Sequence, residues 1–331
     1  RVAINGFGRI GRLVLRCGIS EKGIDWVINH PDGVESARSL FIYDSVHGKY
    51  PGKVSVDGDT LVIDGRKVKV ISKKVTPEQL PWKELKVDVV VESTGAFRGK
   101  EDAGGHINAG AKKVVISAPA KGDIESFVLG VNTQGNALSS SGPVIDNASC
   151  TTNCLMPVLK VLHDKFGIKR GFITTIHAYT ADQNLVDGAH KDPRRARSAA
   201  LNIIPTTSGA SEAVSKVMPT LRGRIEGKAI RVPVADGSLL EITAEVEKAA
   251  SVEEVNSEMK KASQGSLKGI LEYSEEPLVS SDIIGNKHSA IFDSKLTKVV
   301  GGDLVQVVAW YDNEMGYSQR IVDLVKVLKL K

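Results

Sequence analysis

Near the middle of the chain, Ser149-Cys150-Thr151-Thr152-Asn153-Cys154 places a cysteine among small hydroxyl residues. That setting makes Cys150 a candidate nucleophile. Leu155–Leu162 follows at once with helical character, which puts Cys150 at or near a helix start. Backbone N–H groups and the helix dipole favour a thiolate there. Taken alone, Cys150 reads equally as a buried structural cysteine. Cys150 and Cys154 share the spacing of one helix face, and no His or Cys cluster completes a zinc site, so no metal centre is expected. His177 ends the β-branched run Gly171–Ile176. Such a histidine is more often a packed residue, but beside a cysteine it becomes a candidate base. Arg231 is the one guanidinium in the apolar run Ala229–Pro233, the kind of residue that pairs with a carboxylate or an anionic ligand. Pro205–Ala210 opens a predicted helix through Val217, and its hydroxyls and N–H groups suit a phosphate.

These residues need a frame. The first strand reads Val2–Asn5, followed by Gly6-Phe7-Gly8-Arg9-Ile10-Gly11 and a helical Arg12–Arg16. This is G-x-G-x-x-G between a strand and a helix, the setting a dinucleotide pyrophosphate requires. Ile24–Asn29 reads as the second strand. An acidic residue usually ends that strand and binds the adenine ribose. Here the strand runs on into His30-Pro31-Asp32, so the acid is absent or displaced. Asp-Gly pairs at Asp57-Gly58 and Asp64-Gly65 predict hairpins between residues 52 and 70. Val87–Val91, Val114–Ile116, Val128–Asn132 and Val144–Asp146 read as further strands. The first two end in Glu92-Ser93-Thr94-Gly95 and Ser117-Ala118-Pro119, small residues that either line a ligand crevice or simply turn the chain.

In the second half, residues 178–200 form a long polar stretch of weak periodicity carrying Arg194, Arg195 and Arg197. A stretch of this kind is usually functional or disordered. Its arginines suit a solvated face, an RNA contact or an anion site. Leu239–Val246 and Val305–Trp310 read as strands, Val252–Ala262 and Ile321–Leu328 as helices. Strands and helices without strict alternation suggest an α+β unit.

A length of 331 residues suggests two domains, and 41% hydrophobic with 25% charged residues is a globular composition. No apolar run is long enough to span a membrane. Three cysteines fit a reducing compartment, so a cytoplasmic location is expected; the first residue is not Met, which leaves a removed leader open. A net charge of +5 suits anionic substrates but is weak evidence for nucleic-acid binding.

Five stretches then match one family in order: Asn5–Arg12, Ala148–Cys154, His177–Thr180, Arg194–Arg197 and Trp310–Glu314. Over essentially its full length the chain resembles the phosphorylating glyceraldehyde-3-phosphate dehydrogenases. The resemblance implies an α/β Rossmann NAD(P)-binding domain over 1–149, with a C-terminal helix in 314–331 packing back onto it. It implies an α+β catalytic domain with an antiparallel sheet over 150–313, and a homotetramer with residues 178–200 at a subunit interface. The activity implied is reversible oxidation of D-glyceraldehyde 3-phosphate, with inorganic phosphate, to 1,3-bisphosphoglycerate. Cys150 would be the nucleophile and His177 its ion-pair partner and base. Thr180, Asp182 and Arg231 would bind the substrate phosphate. Ser149, Thr151, Ser208, Gly209 and Arg231 would surround the attacking phosphate, with Arg195 near one of these sites. NAD or NADP would lie on Asn5, Gly6, Phe7, Gly8, Arg9, Ile10, Gly11, His30, Thr94, Gly95, Ser117, Asn313 and Tyr317.

Several residues depart from the family pattern. His30 stands where Asp is usual, Val75 about where an arginine often lies, and Gly188-Ala189 replaces a common Leu-Pro pair. These point to use of NADP, because a carboxylate at position 30 would repel a ribose 2′-phosphate. Asp32 could swing back to the ribose, and only Ser36, Lys73 or Lys74 is at hand to grip a phosphate. The stretch Val234-Ala235-Asp236-Gly237-Ser238 and Met315 also depart from the pattern, with no functional account from sequence. Competing functions are an erythrose-4-phosphate dehydrogenase, a phosphate-independent aldehyde dehydrogenase, and an RNA-binding or scaffold role for the crevice and arginines. No specific nucleic-acid partner is expected.

Overall fold

The computed structural model describes residues 1–328. The chain forms two compact units, one of Arg1–Leu129, Thr133–Ala148 and the residues from Ser318 on, the other of Gly130–Asn132 and Ser149–Tyr317.

The first unit comprises β1 (Val2–Asn5), α1 (Arg9–Gly18), β2 (Trp26–Asn29), α2 (Gly33–Ile42), β3 (Val54–Asp57), β4 (Thr60–Ile63), β5 (Arg66–Ile71), β6 (Val89–Glu92), α3 (Lys100–Asn108), β7 (Lys113–Ile116), β8 (Glu125–Ser126), α4 (Ala137–Ser140) and β9 (Val144–Asp146). Its nine strands lie in the order β3-β4-β5-β2-β1-β6-β7-β9-β8. The two hairpins expected from Asp57-Gly58 and Asp64-Gly65 are present as the antiparallel pairs β3–β4 and β4–β5. The run from β5 to β9 is parallel, and β1, β2, β6 and β7 are buried throughout. Continuous Val and Ile runs suit strands covered on both faces. Strand order reverses at β1, so the crevice where open α/β sheets bind ligands lies beyond the carboxyl ends of β1 and β6. The strand expected over Val128–Asn132 is absent. Gly130 adopts a left-handed φ of 77° in a turn, and the edge of the sheet is Glu125–Ser126 instead.

The second unit comprises α5 (Cys150–Phe166), β10 (Ile168–Ala178), β11 (Ile204–Thr207), α6 (Ala210–Val217), β12 (Ile225–Val232), β13 (Ser238–Val246), α7 (Val252–Gln264), β14 (Leu271–Ser274), β15 (Ala290–Asp293), β16 (Lys298–Val300), β17 (Leu304–Tyr311) and the start of α8 (Met315–Val327). The main path is β11-β12-β10-β13-β17-β15-β14. The sheet is mixed rather than purely antiparallel, because β10 pairs with β12 and β14 with β15 in parallel. The long connections between those pairs permit the crossover that parallel pairing needs. β13 alternates buried and half-buried residues, the period of a strand with one covered face. Helix α5 packs its buried Cys154, Leu155, Val158, Leu159 and Leu162 onto β13, β15 and β17. Between β10 and β11, residues 179–203 contain neither helix nor strand.

Candidate active site

In the second unit, strand register brings the polar residues together. Parallel pairing of β10 with β12 sets His177 directly opposite Arg231. Antiparallel pairing of β13 with β17 sets Ser238 opposite Tyr311. Cys150 is the first residue of α5, after the N-cap Ser149, whose hydroxyl accepts from the Thr152 N–H at 3.0 Å. Such a cap satisfies one N–H that a helix start leaves without a partner. Cys150 Sγ lies 3.4 Å from His177 Nε2.

The His177 proton assignment follows from the ring's neighbours. Its Nδ1 lies 2.7 Å from the Ala178 carbonyl, which can only accept. Arg231 Nη1, which can only donate, lies 3.1 Å from the same Nδ1; the shorter contact to the carbonyl places the hydrogen on Nδ1 and leaves Nε2 to accept from the thiol. Arg231 Nη1, 3.1 Å from the same carbonyl and 3.2 Å from Thr180 Oγ1, donates to both. Arg231 Nε is buried and has no protein partner, a free donor suited to an anion. Burial pulls His177 down to about 3, with the Arg231 charge acting in the same direction. Burial also pushes the Cys150 thiol up, opposed by Arg231 and by the Thr151 N–H and hydroxyl. Cys150 keeps part of its surface open, which tempers that push. Burial thus favours the uncharged forms of both groups, while the Arg231 charge favours the thiolate, the member of the ion pair that the resemblance implies. Cys154 is fully buried, and its thiol is pushed well above its ordinary value.

Tyr311 was not identified from sequence as a site residue. Its hydroxyl lies 2.9 Å from Thr151 Oγ1 and 2.8 Å from Thr175 Oγ1, and its ring meets His177 edge-on at 5.8 Å. A buried tyrosine needs a partner for its hydroxyl, which was the available signal. Ser238 was also missed. Its Oγ accepts from the Ala178 N–H at 3.1 Å and donates to Asn313 Oδ1 at 2.7 Å. Asn313 and Tyr317 are both buried.

The 179–203 segment is tied internally. Asp182 pairs with Arg195, which also donates to Thr206 Oγ1 at 3.0 Å and to the Thr207 carbonyl at 3.3 Å. Arg197 holds Asp187 at 2.9 Å. Two of the three arginines thus face carboxylates of their own segment and do not form a free cationic row. Ser208 Oγ accepts from the Ala210 N–H at 3.2 Å, and Gly209 caps α6. Asp236 sits beside Asp312, and burial with that neighbouring charge pushes its carboxyl up to about 9. Asp312 accepts from the N–H groups of Gly285, Glu314 and Met315 at 2.7–2.9 Å, which fixes the turn into α8. Nothing in the structure explains the choice of Met315.

In the first unit, the three motif glycines have separate reasons. Gly6 turns the chain with φ 94°, and a Cβ there would meet the Thr94 nitrogen at 2.7 Å. A Cβ on Gly8 would meet nothing within 4 Å. A Cβ on Gly11 would strike the Gly6 carbonyl at 2.1 Å and Ile4 at 3.0 Å. Helix α1 begins with no side-chain cap and no acid in its first turn, and Arg9 stands there instead. A helix start without a side-chain cap, an open Gly8 and a basic first turn, whose Arg9 pairs with Asp44 at 3.2 Å, fit a dinucleotide pyrophosphate. Asn5 ends β1, Ser117 follows β7, and Thr94-Gly95 turn away after β6 with φ 75° at Gly95. Phe7 is buried against the His30 ring at 6.2 Å. His30 is itself buried, with Nε2 3.0 Å from Ser36 Oγ, and burial lowers its pKa. The Asp32 side chain is 79% exposed, 3.8 Å from that ring.

Residues 1–100 match the family model for the glyceraldehyde 3-phosphate dehydrogenase NAD binding domain, and residues 149–313 match that for its C-terminal domain. The chain is 51% identical to the glyceraldehyde-3-phosphate dehydrogenase of Geobacillus stearothermophilus, over 100% of this chain and 98% of that protein. It is 52% identical to that of Mycobacterium avium, over 99% of this chain and 98% of the relative. It is 50% identical to a chloroplastic one of Arabidopsis thaliana, over 99% of this chain and 83% of the relative. With a cysteine–histidine pair in one unit and a glycine turn fitted to a dinucleotide in the other, the chain belongs to the glyceraldehyde-3-phosphate dehydrogenase family.

Proposed function

We propose that this chain catalyses the reversible, phosphate-dependent oxidation of D-glyceraldehyde 3-phosphate to 1,3-bisphosphoglycerate. The observation that carries the mechanism is the 3.4 Å approach of Cys150 Sγ to His177 Nε2, with Arg231 in register beside it. The Sγ proton moves to Nε2 as sulfur adds to the aldehyde carbon. Burial opposes the thiolate and Arg231 favours it, and the charge separates as the substrate adds. The oxyanion takes the proton back from Nε2, giving a hemithioacetal, and the Cys150 N–H at the start of α5 stabilises that oxygen on the way. Bound NAD(P) supplies the hydride acceptor. The departing hydroxyl proton returns to Nε2, leaving a thioester on Sγ. A phosphate oxygen then attacks the thioester carbon and the thiolate leaves. Thr180, Asp182 and Arg231 serve the substrate phosphate, Ser149, Thr151, Ser208, Gly209 and Arg231 serve the attacking one, and Arg195 lies near one of these sites. In the division of labour we propose, residues 1–149 and the last helix hold the dinucleotide and residues 150–313 hold substrate, with Asn313 and Tyr317 contributing to the nicotinamide end. A single-turnover assay tests this. The thioester should persist without phosphate and clear when phosphate is added; prompt hydrolysis to the free acid would refute it.

NADP use alongside NAD is part of the same proposal. Position 30 offers no carboxylate to repel a 2′-phosphate, and Asp32 points largely into solvent. The neutral His30, tied to Ser36, supplies no strong grip either, which supports tolerance rather than preference. We also propose a homotetramer that uses residues 179–203, where Leu185, Val186, Leu201 and Ile203 are each at least 70% exposed. Sedimentation of the native protein tests it; a monomer at micromolar concentration would refute it.

A further inference from the structure

Three adjacent strands of the first unit end in polar residues in register: Asn29 on β2, Asn5 on β1 and Glu92 on β6. All three side chains are buried, Glu92 with only 2% exposure. Their hydrogen bonds have one possible direction. The Lys73 N–H donates to Asn29 Oδ1, so Asn29 Nδ2 is the donor towards Asn5 Oδ1 at 2.8 Å. Asn5 must then present Nδ2 to Glu92 Oε2, at 2.6 Å. A second chain arrives from α3. The Trp82 indole can only donate, and it does so to His106 Nδ1 at 2.8 Å. His106, fully buried, therefore carries its proton on Nε2 and donates to the same Glu92 Oε2 at 2.9 Å. The other oxygen, Oε1, accepts the Thr94 N–H at 2.8 Å and the Thr94 hydroxyl.

Two chains of donors, each locked at its far end, thus converge on one carboxylate, and its remaining oxygen holds Thr94. That turn is in turn pressed on the glycine loop. The Ser93 hydroxyl donates to the Gly6 carbonyl at 2.7 Å, and Gly6 has no room for a side chain because of Thr94.

We propose that Glu92 is a positioning residue for the dinucleotide, fixed by Asn5 and by the Trp82–His106 pair, and that it sets the Thr94 turn against the Gly6 loop. The proposal rests on the dinucleotide reading of this unit. Glu92 needs to be an acceptor on both oxygens. Glutamine has nearly the same shape but turns one of them into a donor, facing either the Asn5 and His106 donors or the Thr94 N–H. Removing the Trp82 indole N–H releases His106 Nδ1. The ring can then carry its proton there and accept from Gln at position 92, which relieves part of the conflict.

The experiment uses the full-length protein. Dissociation constants for NAD and NADP are measured by calorimetry for the wild type, Glu92→Gln, Trp82→Phe and the double variant, beside steady-state kinetics and melting temperatures. Glu92→Gln should weaken dinucleotide binding tenfold or more and raise the dinucleotide KM alike. The KM for glyceraldehyde 3-phosphate and kcat should stay within about twofold. The double variant should bind dinucleotide more tightly than Glu92→Gln while melting lower. Wild-type binding with unchanged Glu92→Gln affinity overturns the proposal, as does a double variant that binds more weakly than Glu92→Gln. A wild type that binds no dinucleotide overturns the underlying reading instead. Should Glu92→Gln fail to fold, nitrogen-15 NMR of the wild type decides. A neutral His106 protonated at Nε2 supports the proposal, and an imidazolium or an Nδ1–H tautomer overturns it.

Discussion

Gly8 and Gly11 lie three residues apart in one motif, yet alanine at each should fail in opposite ways. At Gly11 the new methyl carbon would stand 2.1 Å from the Gly6 carbonyl, and a real Cβ essentially never comes nearer than 3.0 Å. Helix α1 and the Gly6 turn must therefore separate by about 0.9 Å, the difference of those two distances. Overpacking against backbone costs about 3 kcal/mol when nothing flexible can yield. For a unit of this size that is a fall in melting temperature of roughly 6–12 °C. At Gly8, φ is −76° and a Cβ meets nothing. Alanine there fits the fold and restricts the unfolded chain, so stability should hold or rise by up to about 1 kcal/mol. The methyl occupies space we assign to the pyrophosphate, so dinucleotide affinity should fall about tenfold or more, roughly 1.4 kcal/mol. Calorimetric melting of the apo protein and titration with NAD separate the two effects. If Gly8→Ala melts as low as Gly11→Ala, or binds NAD as the wild type does, the assignment of the open glycine to the phosphates is wrong.

Cys150→Ser should abolish dehydrogenase activity and keep dinucleotide binding, while Cys154→Ser stays active; iodoacetamide should likewise label Cys150 well before Cys154, and the reverse order would exchange their roles. His177, held to about 3 in the fold, takes up its proton in the unfolded chain first, so it withdraws stability as pH falls from 6.5 towards 3. His177→Asn should remove that loss, gaining on the wild type by about 2 kcal/mol between pH 7 and pH 5 in urea melts; a gap independent of pH refutes it. Asp236, pushed up to about 9, keeps a proton that the unfolded chain loses above about pH 4, so the wild type weakens as pH rises through that window. Asp236→Asn should therefore gain steadily on the wild type as pH rises from 5 to 8, and equal melting at both ends would contradict the raised carboxyl. His30→Asp should shift kcat/KM towards NAD by about tenfold; a wild type that already rejects NADP and a variant that changes nothing would hand the carboxylate's role to Asp32.

Local patterns were the legible part of the chain. The glycine motif, the Asp-Gly hairpins and the β-branched runs each carry their signal within a few residues. Val128–Asn132 misled because a short apolar run does not fix its backbone, and Gly130 turned it. β10 proved longer than its apolar run because Lys169 and Arg170 lie on an exposed stretch and hide the strand from a hydrophobicity reading. Cys150, His177 and Arg231 stood out as residue types, but the sequence offered no reason for His177 and Arg231 to meet. That meeting depends on parallel pairing across a long connection. The thiolate of Cys150 was read from its helix start and from a partner histidine; burial, which opposes it, comes from the whole unit. Asn5 was legible as motif and Glu92 only as the end of a strand, because the lateral bond between them needs β1 and β6 in register.

The pairing of β10 with β12 has a consequence for how the enzyme comes into being. Helix α5 is a local structure and can form early, with its cysteines in place. The partner histidine and arginine are brought abreast only when two strands distant in sequence lock in parallel, a slow event in a folding chain. A slip of one residue would send Arg231 to the opposite face of the sheet. During that interval the two thiols of α5 stand without a base, without a phosphate site and without cover, open to oxidants. Recovery of activity on refolding therefore times the registration of the sheet, and recovery of helical signal does not. Oxidant present during refolding should therefore lower the yield of activity more than oxidant added afterwards, with the helical signal unchanged in both.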